Sequence, residues 1–92
     1  MIERETLKIN ESGHLEIGGC DATELSSRFG TPLYVMDEAY IRSVISGYKE
    51  IFERDYGDGL VCYASKAFST KAIYEICREE GIGADVVSGC EL

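Results

Sequence analysis

The strongest constraint on the fold is the alternation of apolar strand patterns with helical patterns along the 92-residue chain. Predicted strands begin near residues 33, 60 and 84, and helical patterns fill the intervals between them. The segment 60–64 (LVCYA) is almost continuously apolar, which is typical of a strand buried on both faces of a parallel sheet. Strands that alternate with helices predict an α/β fold with parallel strands.

Capping residues define the first two predicted helices. Asp21 and Glu24 have the spacing of a capping box, and Gly30 is a suitable last residue for that short helix. Asp37 follows a predicted strand at 33–36 and begins the longest helix, which the glycines of 56–59 end. The apolar stripe of this helix recurs at helical spacing. It consists of Ile41, Val44, Ile45, Tyr48, Ile51 and Phe52.

Similar signals divide the rest of the chain. Ser69 is predicted to begin a helix that ends at Gly81, and residues 84–87 form the next predicted strand. Ser88 and Glu91 repeat the capping-box spacing, so a further helix is expected to begin where the chain stops. Finished domains rarely end in this way, and we therefore expect the sequence to be part of a longer protein.

The N-terminal residues follow a different pattern. Residues 6–9 and 14–17 alternate polar and apolar side chains, and the turn-like segment 10–13 separates them. We therefore predict an extended N-terminal segment over residues 1–20, followed by βα units over residues 21–92.

Composition excludes several classes of partner. The net charge of -8 argues against nucleic acid and anionic membranes, which select clustered Lys and Arg. The sequence has neither a membrane-length apolar run nor a signal-peptide core, so the expected compartment is the cytoplasm. The spacing of the four cysteines matches no zinc or redox motif, and we expect reduced thiols and no metal site.

Lys66 is the main candidate for chemistry. It comes just after the predicted strand 60–64, and the carboxyl ends of parallel strands face the active site in such folds. A lysine amine in a partly buried, electropositive pocket can react with an aldehyde cofactor. Position alone is weak evidence, because most lysines that follow a strand are simply solvated.

The sequence around Lys66 resembles a known family. The segment 63–67 (YASKA) is similar to the cofactor-lysine motif of the pyridoxal-phosphate-dependent decarboxylases with an alanine-racemase-like barrel. Residues 85–92 (DVVSGCEL) resemble their next-strand motif, DVVSGGEL. The segments 14–19 (HLEIGG) and 30–35 (GTPLYV) resemble the opening of the diaminopimelate decarboxylases within that family. The resemblance extends from about residue 7 onward.

The resemblance implies a fold and an activity. The fold would be the N-terminal part of a pyridoxal-phosphate-binding (β/α)8 barrel, and the extended segment 1–20 would belong to a β-domain. The activity would be decarboxylation of meso-2,6-diaminopimelate to L-lysine and carbon dioxide, the last step of lysine biosynthesis, by a homodimer. Lys66 would hold pyridoxal 5'-phosphate covalently. Asp85 would be a polar group of the cofactor site, although a capping role is an equal alternative.

Two positions depart from the family pattern. Phe68 replaces a common Asn after the lysine motif, and we interpret this as a variation within a subgroup. Cys90 replaces the second glycine of the next-strand motif. A positive φ at this position would cost a cysteine about 1 kcal/mol or more, whereas a helical conformation would make the change mild.

Three alternatives remain open. The parent protein could be a related barrel decarboxylase acting on ornithine, arginine or a carboxylated polyamine. It could be a non-catalytic single-barrel protein that binds pyridoxal phosphate, although the extended residues 6–17 argue against this. The chain could also be a stand-alone acidic binding module. The family's phosphate-binding and substrate-binding segments lie beyond residue 92, so we expect the isolated chain to be inactive.

Overall fold

The computed structural model describes residues 6–86, and the predictions for Ser88, Cys90 and Glu91 lie outside that range. The chain divides into two compact units, Met1–Ile41 and Arg42–Leu92, which are described separately below. No helix within residues 6–86 combines the length and the apolar character that crossing a membrane would require.

The first unit contains a three-stranded antiparallel sheet, in the order β1 (Leu7–Ile9), β2 (Leu15–Ile17) and β3 (Cys20–Asp21). The side-chain oxygen of Asn10 shapes the turn between β1 and β2, because it accepts hydrogen bonds from the backbone N–H groups of Ser12 and His14, each at 3.0 Å. Gly13 completes the turn with a φ of 79°. The extended pattern predicted before residue 18 is therefore confirmed.

Helix α1 (Ala22–Phe29) packs against β2 and β3 in the same unit. Asp21 is its N-cap, since the carboxylate accepts a hydrogen bond from the backbone N–H of Thr23 at 2.8 Å. Gly30 is the C-cap, and its N–H donates to the carbonyl of Ser26 at 2.8 Å. Both predicted boundaries of this helix are confirmed.

The sequence predicts a strand at residues 33–36, and this prediction is wrong. These residues follow the cis peptide bond between Thr31 and Pro32 and form no strand. An apolar extended segment becomes a strand only when its backbone groups find a neighbouring strand. No strand pairs with 33–36 in the described part of the chain, and its side chains, such as Tyr34 at 93% exposure, remain in solvent.

Helix α2 (Glu38–Asp55) begins where the sequence predicts. Asp37 caps it: its carbonyl accepts from the N–H of Ile41 at 2.9 Å, and its carboxylate accepts from the N–H of Tyr40 at 3.2 Å. The helix ends just before the predicted glycine turn. In the second unit its apolar stripe is only partly covered, since Ile51 is 52% exposed.

The second unit is built on one βαβ arrangement. Strands β4 (Cys62–Ala64) and β5 (Gly83–Asp85) pair in parallel, and helix α3 (Lys71–Glu80) connects them. The buried apolar residues of the described chain all belong to α3. They are Ile73, Ile76 and Cys77.

The expectation that the strand at 60–64 is buried on both faces is wrong for this structure. Side chains alternate between the two faces of a strand. Tyr63 is half-buried on the face toward α3, whereas Cys62, Ala64 and Leu60 are exposed. Gly83 lies beside them, because a Cβ on it would be 3.1 Å from the Cys62 Sγ and 3.2 Å from the Leu60 side chain. Within residues 6–86, a two-stranded sheet with α3 on one side leaves its other face uncovered.

Two boundaries in this unit differ by one residue from the prediction. Thr70, rather than Ser69, is the N-cap of α3, because its hydroxyl accepts from the N–H of Ile73 at 3.3 Å. The Ser69 hydroxyl instead lies 2.6 Å from the hydroxyl of Tyr74. Strand β5 begins at Gly83 rather than at residue 84. The predicted C-terminal boundary of α3 at Gly81 is confirmed.

Candidate functional site

The parallel pairing of β4 and β5 brings the two candidate site residues to one edge of the sheet. The register places Ala64 beside Asp85, the last residues of the two strands. Lys66 follows immediately in a 3-10 helix, Ser65–Ala67. In α/β folds the carboxyl edge of a parallel sheet is where ligands bind. The structure therefore brings the Lys66 segment and Asp85 together at this edge.

Lys66 is an exposed amine at this edge. It forms no ion pair with any carboxylate in residues 6–86. Other lysines are engaged: Lys8 lies 3.4 Å from Glu16, and Lys49 lies 3.9 Å from Glu53. An aldehyde cofactor needs an amine that it can reach and that no neighbouring carboxylate stabilises in its protonated form. The described residues fit such a cofactor at Lys66.

The side chain of Asp85 is also exposed, at the end of β5. A capping carboxylate would accept hydrogen bonds from backbone N–H groups. Within residues 6–86 the Asp85 side chain caps no such group, whereas its backbone carbonyl accepts a hydrogen bond from Ser65. The structure leaves this carboxylate available to a ligand at the sheet edge.

Two hydrogen bonds fix the backbone around Lys66. The hydroxyl of Ser65 is completely buried and donates to the carbonyl of Asp85 at 2.7 Å. The hydroxyl of Tyr63 donates to the carbonyl of Phe68, also at 2.7 Å. The sequence pattern indicated a role in the site for neither Tyr63 nor Ser65. The available signal for Ser65 was a hydroxyl directly after an apolar strand pattern.

Burial determines the protonation states of two groups in this unit, the Tyr63 hydroxyl and the Cys77 thiol. It raises the pKa of the Tyr63 hydroxyl, and the nearby Cys77 and Tyr74 raise it further. Burial also raises the pKa of the Cys77 thiol. Both groups are therefore neutral at physiological pH, so Tyr63 remains a hydrogen-bond donor and Cys77 an unreactive core residue.

A second polar cluster lies in the first unit, around Asp21. Its carboxylate accepts from the Asn10 side chain at 2.9 Å and from the Thr23 hydroxyl at 2.6 Å, and it lies 2.9 Å from the His14 Nδ1. Hydrogen bonds from Thr23 and then from His14 hold the pKa of Asp21 well below its usual range. His14 thus helps to join β2, β3 and α1, a role that the sequence pattern did not indicate. Residues 6–86 contain no group of three side chains that could hold a metal ion.

Comparison with known proteins adds evidence of a different kind. A family model described as "Pyridoxal-dependent decarboxylase, pyridoxal binding domain" matches residues 38–92. The diaminopimelate decarboxylase of Bacillus methanolicus is 54% identical over 87 residues, which are 95% of this chain and 20% of that protein. The diaminopimelate decarboxylase of Bacillus subtilis is 49% identical, with the same coverage of both chains.

A solved structure agrees with the sequence matches. The crystal structure of diaminopimelate decarboxylase from M. jannaschii in co-complex with L-lysine superposes with a TM-score of 0.74 at 40% identity. The match covers 95% of this chain and 21% of that one. This chain thus spans about a fifth of the length of the relatives that it matches.

Proposed function

This chain belongs to the pyridoxal-dependent decarboxylases, and from that premise we propose that it is part of the cofactor-binding barrel of a diaminopimelate decarboxylase. The proposed reaction converts meso-2,6-diaminopimelate to L-lysine and carbon dioxide. The observation that carries the proposal is the exposed amine of Lys66, which follows β4 directly at the carboxyl edge that β4 shares with β5.

When bound, pyridoxal 5'-phosphate supplies an aldehyde that condenses with an amine, releasing water, and an electron sink for the electrons left when carbon dioxide departs. We assign to Lys66 the amine that holds the cofactor. Its nitrogen must lose a proton to act as a nucleophile, which a partly buried, electropositive pocket promotes. Within residues 6–86 the amine is exposed, so we propose that the rest of the barrel completes that pocket. Arginine cannot replace it, because a guanidinium stays protonated.

We assign to Asp85 a polar contact with the cofactor. The register supports this role, since Asp85 pairs with Ala64, the last residue of β4, two residues before Lys66. A carboxylate at this place would favour a positively charged group nearby, and it would orient that group by accepting a hydrogen bond.

The remaining parts of the proposal concern the whole protein. We propose a complete (β/α)8 barrel, a β-domain that includes the extended N-terminal segment, and a homodimer that binds an amino-acid substrate. The cytoplasmic location stays a prediction from the sequence. Because the chain spans about a fifth of its relatives, we expect residues 1–92 alone to have no decarboxylase activity.

Covalent trapping tests the assignment of Lys66. Borohydride reduction of the cofactor-loaded, full-length protein, followed by peptide mapping, should place the pyridoxyl group on Lys66. Lys66→Ala and Lys66→Arg should abolish both the visible absorption band and the release of carbon dioxide. Lys71→Ala is the matched control, since Lys71 is also exposed and begins α3. Mapping of the adduct to another lysine would refute the assignment.

Substrate comparison tests the reaction. Release of carbon dioxide should be measured from meso-diaminopimelate, ornithine, arginine and a carboxylated polyamine with the same enzyme preparation. We expect turnover of diaminopimelate with L-lysine as product. Turnover of one of the other substrates alone would assign the protein to a related barrel decarboxylase. Cofactor binding without any turnover would support the non-catalytic alternative.

A further inference from the structure

The turn that carries Lys66 is held at both ends by side chains. We call residues 65–68 the lysine turn. At its start, the Ser65 hydroxyl donates to the carbonyl of Asp85, 20 residues away in sequence. At its end, the carbonyl of Phe68 accepts from the Tyr63 hydroxyl. Lys66 itself is exposed between these two anchored points.

The two anchors differ in what they connect. The Tyr63 bond closes a local loop within five residues of sequence. The Ser65 bond joins the lysine turn to the last residue of β5, the residue whose side chain is the candidate cofactor carboxylate. Loss of the Tyr63 bond would loosen the turn, whereas loss of the Ser65 bond would also remove a side-chain link between the lysine turn and the end of β5.

Burial makes the Ser65 bond hard to replace. Ser65 is 0% exposed, so water has no access to its hydroxyl. If the hydroxyl is removed, the Asp85 carbonyl loses this partner, and the buried position of residue 65 gives water no room to take its place. At a surface position, a water molecule would take over the hydrogen bond of the lost serine hydroxyl with little effect.

We infer that Ser65 is a positioning residue that sets the location of Lys66 relative to Asp85. The inference rests on the proposed function, because it concerns the same site. Ser65 does not touch the reacting atoms in this assignment. It acts through the backbone of the lysine turn on one side and through the Asp85 carbonyl on the other.

The experiment compares Ser65→Ala with two controls in the full-length protein. Ser69→Ala also removes a serine hydroxyl with a 2.6 Å partner, but that hydroxyl is exposed and bonds to Tyr74 rather than to β5. Tyr63→Phe removes the other anchor of the lysine turn and keeps the aromatic ring. Each substitution removes one hydroxyl and no carbon atom, so all three variants should fold.

The first measurement needs no cofactor. Hydrogen exchange of the backbone amides of residues 65–68 should accelerate roughly tenfold in Ser65→Ala, which is the loss expected for one buried hydrogen bond. Exchange at 83–86 should accelerate as well, because the bond ends on β5. Tyr63→Phe should affect the lysine turn alone, and Ser69→Ala should affect neither segment.

The second measurement uses the loaded enzyme. In Ser65→Ala, the pH at which the visible absorption band titrates should shift, and kcat should fall roughly tenfold with little change in KM. Faster exchange with an unchanged band and unchanged kcat would reduce Ser65 to a structural residue and overturn the inference. Equal behaviour of Ser65→Ala and Ser69→Ala would overturn it too. A Lys66→Ala protein that kept the visible absorption band would refute the proposed function itself. That outcome is distinct from the two that overturn the Ser65 inference.

Discussion

Gly81 ends α3 in a left-handed conformation, and its replacement by alanine should destabilise the connection to β5. Its φ and ψ are 78° and 31°. Its N–H donates to the Arg78 carbonyl at 3.1 Å, and the N–H of Ile82 donates to the Cys77 carbonyl at 2.9 Å. This pair of bonds is the Schellman motif, in which glycine avoids the strain that a Cβ causes at positive φ.

Two costs add in Gly81→Ala. The left-handed conformation costs a residue with a Cβ roughly 1–2 kcal/mol. The new Cβ would also lie 2.5 Å from the Nζ of Lys49, which would have to move away. Moving it breaks the hydrogen bond from Lys49 to the Glu80 carbonyl, which is long at 3.3 Å and contributes about 0.5 kcal/mol. The expected loss is therefore about 1.5–2.5 kcal/mol.

A short series of variants separates the two costs. Gly81→Asn should lose less than Gly81→Ala, because asparagine tolerates the left-handed region. In a Lys49→Met background, Gly81→Ala should cost only the backbone strain. Gly47→Ala is the matched control, since Gly47 lies inside α2 with nothing within 4 Å of its added Cβ. It should stabilise α2 by up to about 1 kcal/mol.

Hydrogen exchange of the peptide covering residues 71–85 in the full-length protein gives the opening free energy of this segment. The reasoning is refuted if Gly81→Ala exchanges like the unmodified protein, or if asparagine is as costly as alanine. A cost that is identical with and without Lys49 would refute the steric part alone.

Two further predictions concern caps. Thr70→Ala should destabilise α3 by about 1 kcal/mol in the same exchange assay, whereas Ser69→Ala should cost less; the reverse order would show that Ser69 is the cap. The lowered pKa of Asp21 stabilises the first unit fully above the unfolded-state value of about 3.9, and this contribution is lost as the pH falls below it. In acid unfolding followed by NMR, the free energy of unfolding should thus fall less steeply with decreasing pH in Asp21→Asn. The pH dependence should be unchanged in the exposed control Asp58→Asn.

The sequence predicted best the features that depend on neighbouring residues. Asp21 and Asp37 cap their helices with their own carboxylates, and Gly30 and Gly81 end helices through bonds within the last turn. Such interactions span only two to five residues, so a single sequence contains all the groups involved. Ser69 and Thr70 show the limit, because both have a hydroxyl and only geometry decides which one reaches the free N–H of the helix.

Features that need a distant partner were predicted less well. The apolar segment 33–36 has the composition of a strand but forms none, and one face of β4 is uncovered. Both expectations assumed neighbouring strands that the described residues do not provide. The location of Lys66 after a parallel strand followed from the rule for such sheets, whereas the predicted strand 84–87 put Asp85 inside the strand and not at its end. The bond between Ser65 and Asp85 did not follow from that rule, because it depends on the exact register of two strands separated by a helix.

The candidate site depends on the length of one crossover as much as on its own side chains. Parallel strands cannot pair without a connecting segment, and here α3 is that segment. Thr70 fixes where α3 begins and Gly81 fixes where it ends, so together they determine which residue of β5 lies beside Ala64. A shift of one residue would turn the Asp85 side chain to the opposite face of the sheet. The caps of α3 therefore act on the distance between the Lys66 amine and the Asp85 carboxylate, although neither cap belongs to the site.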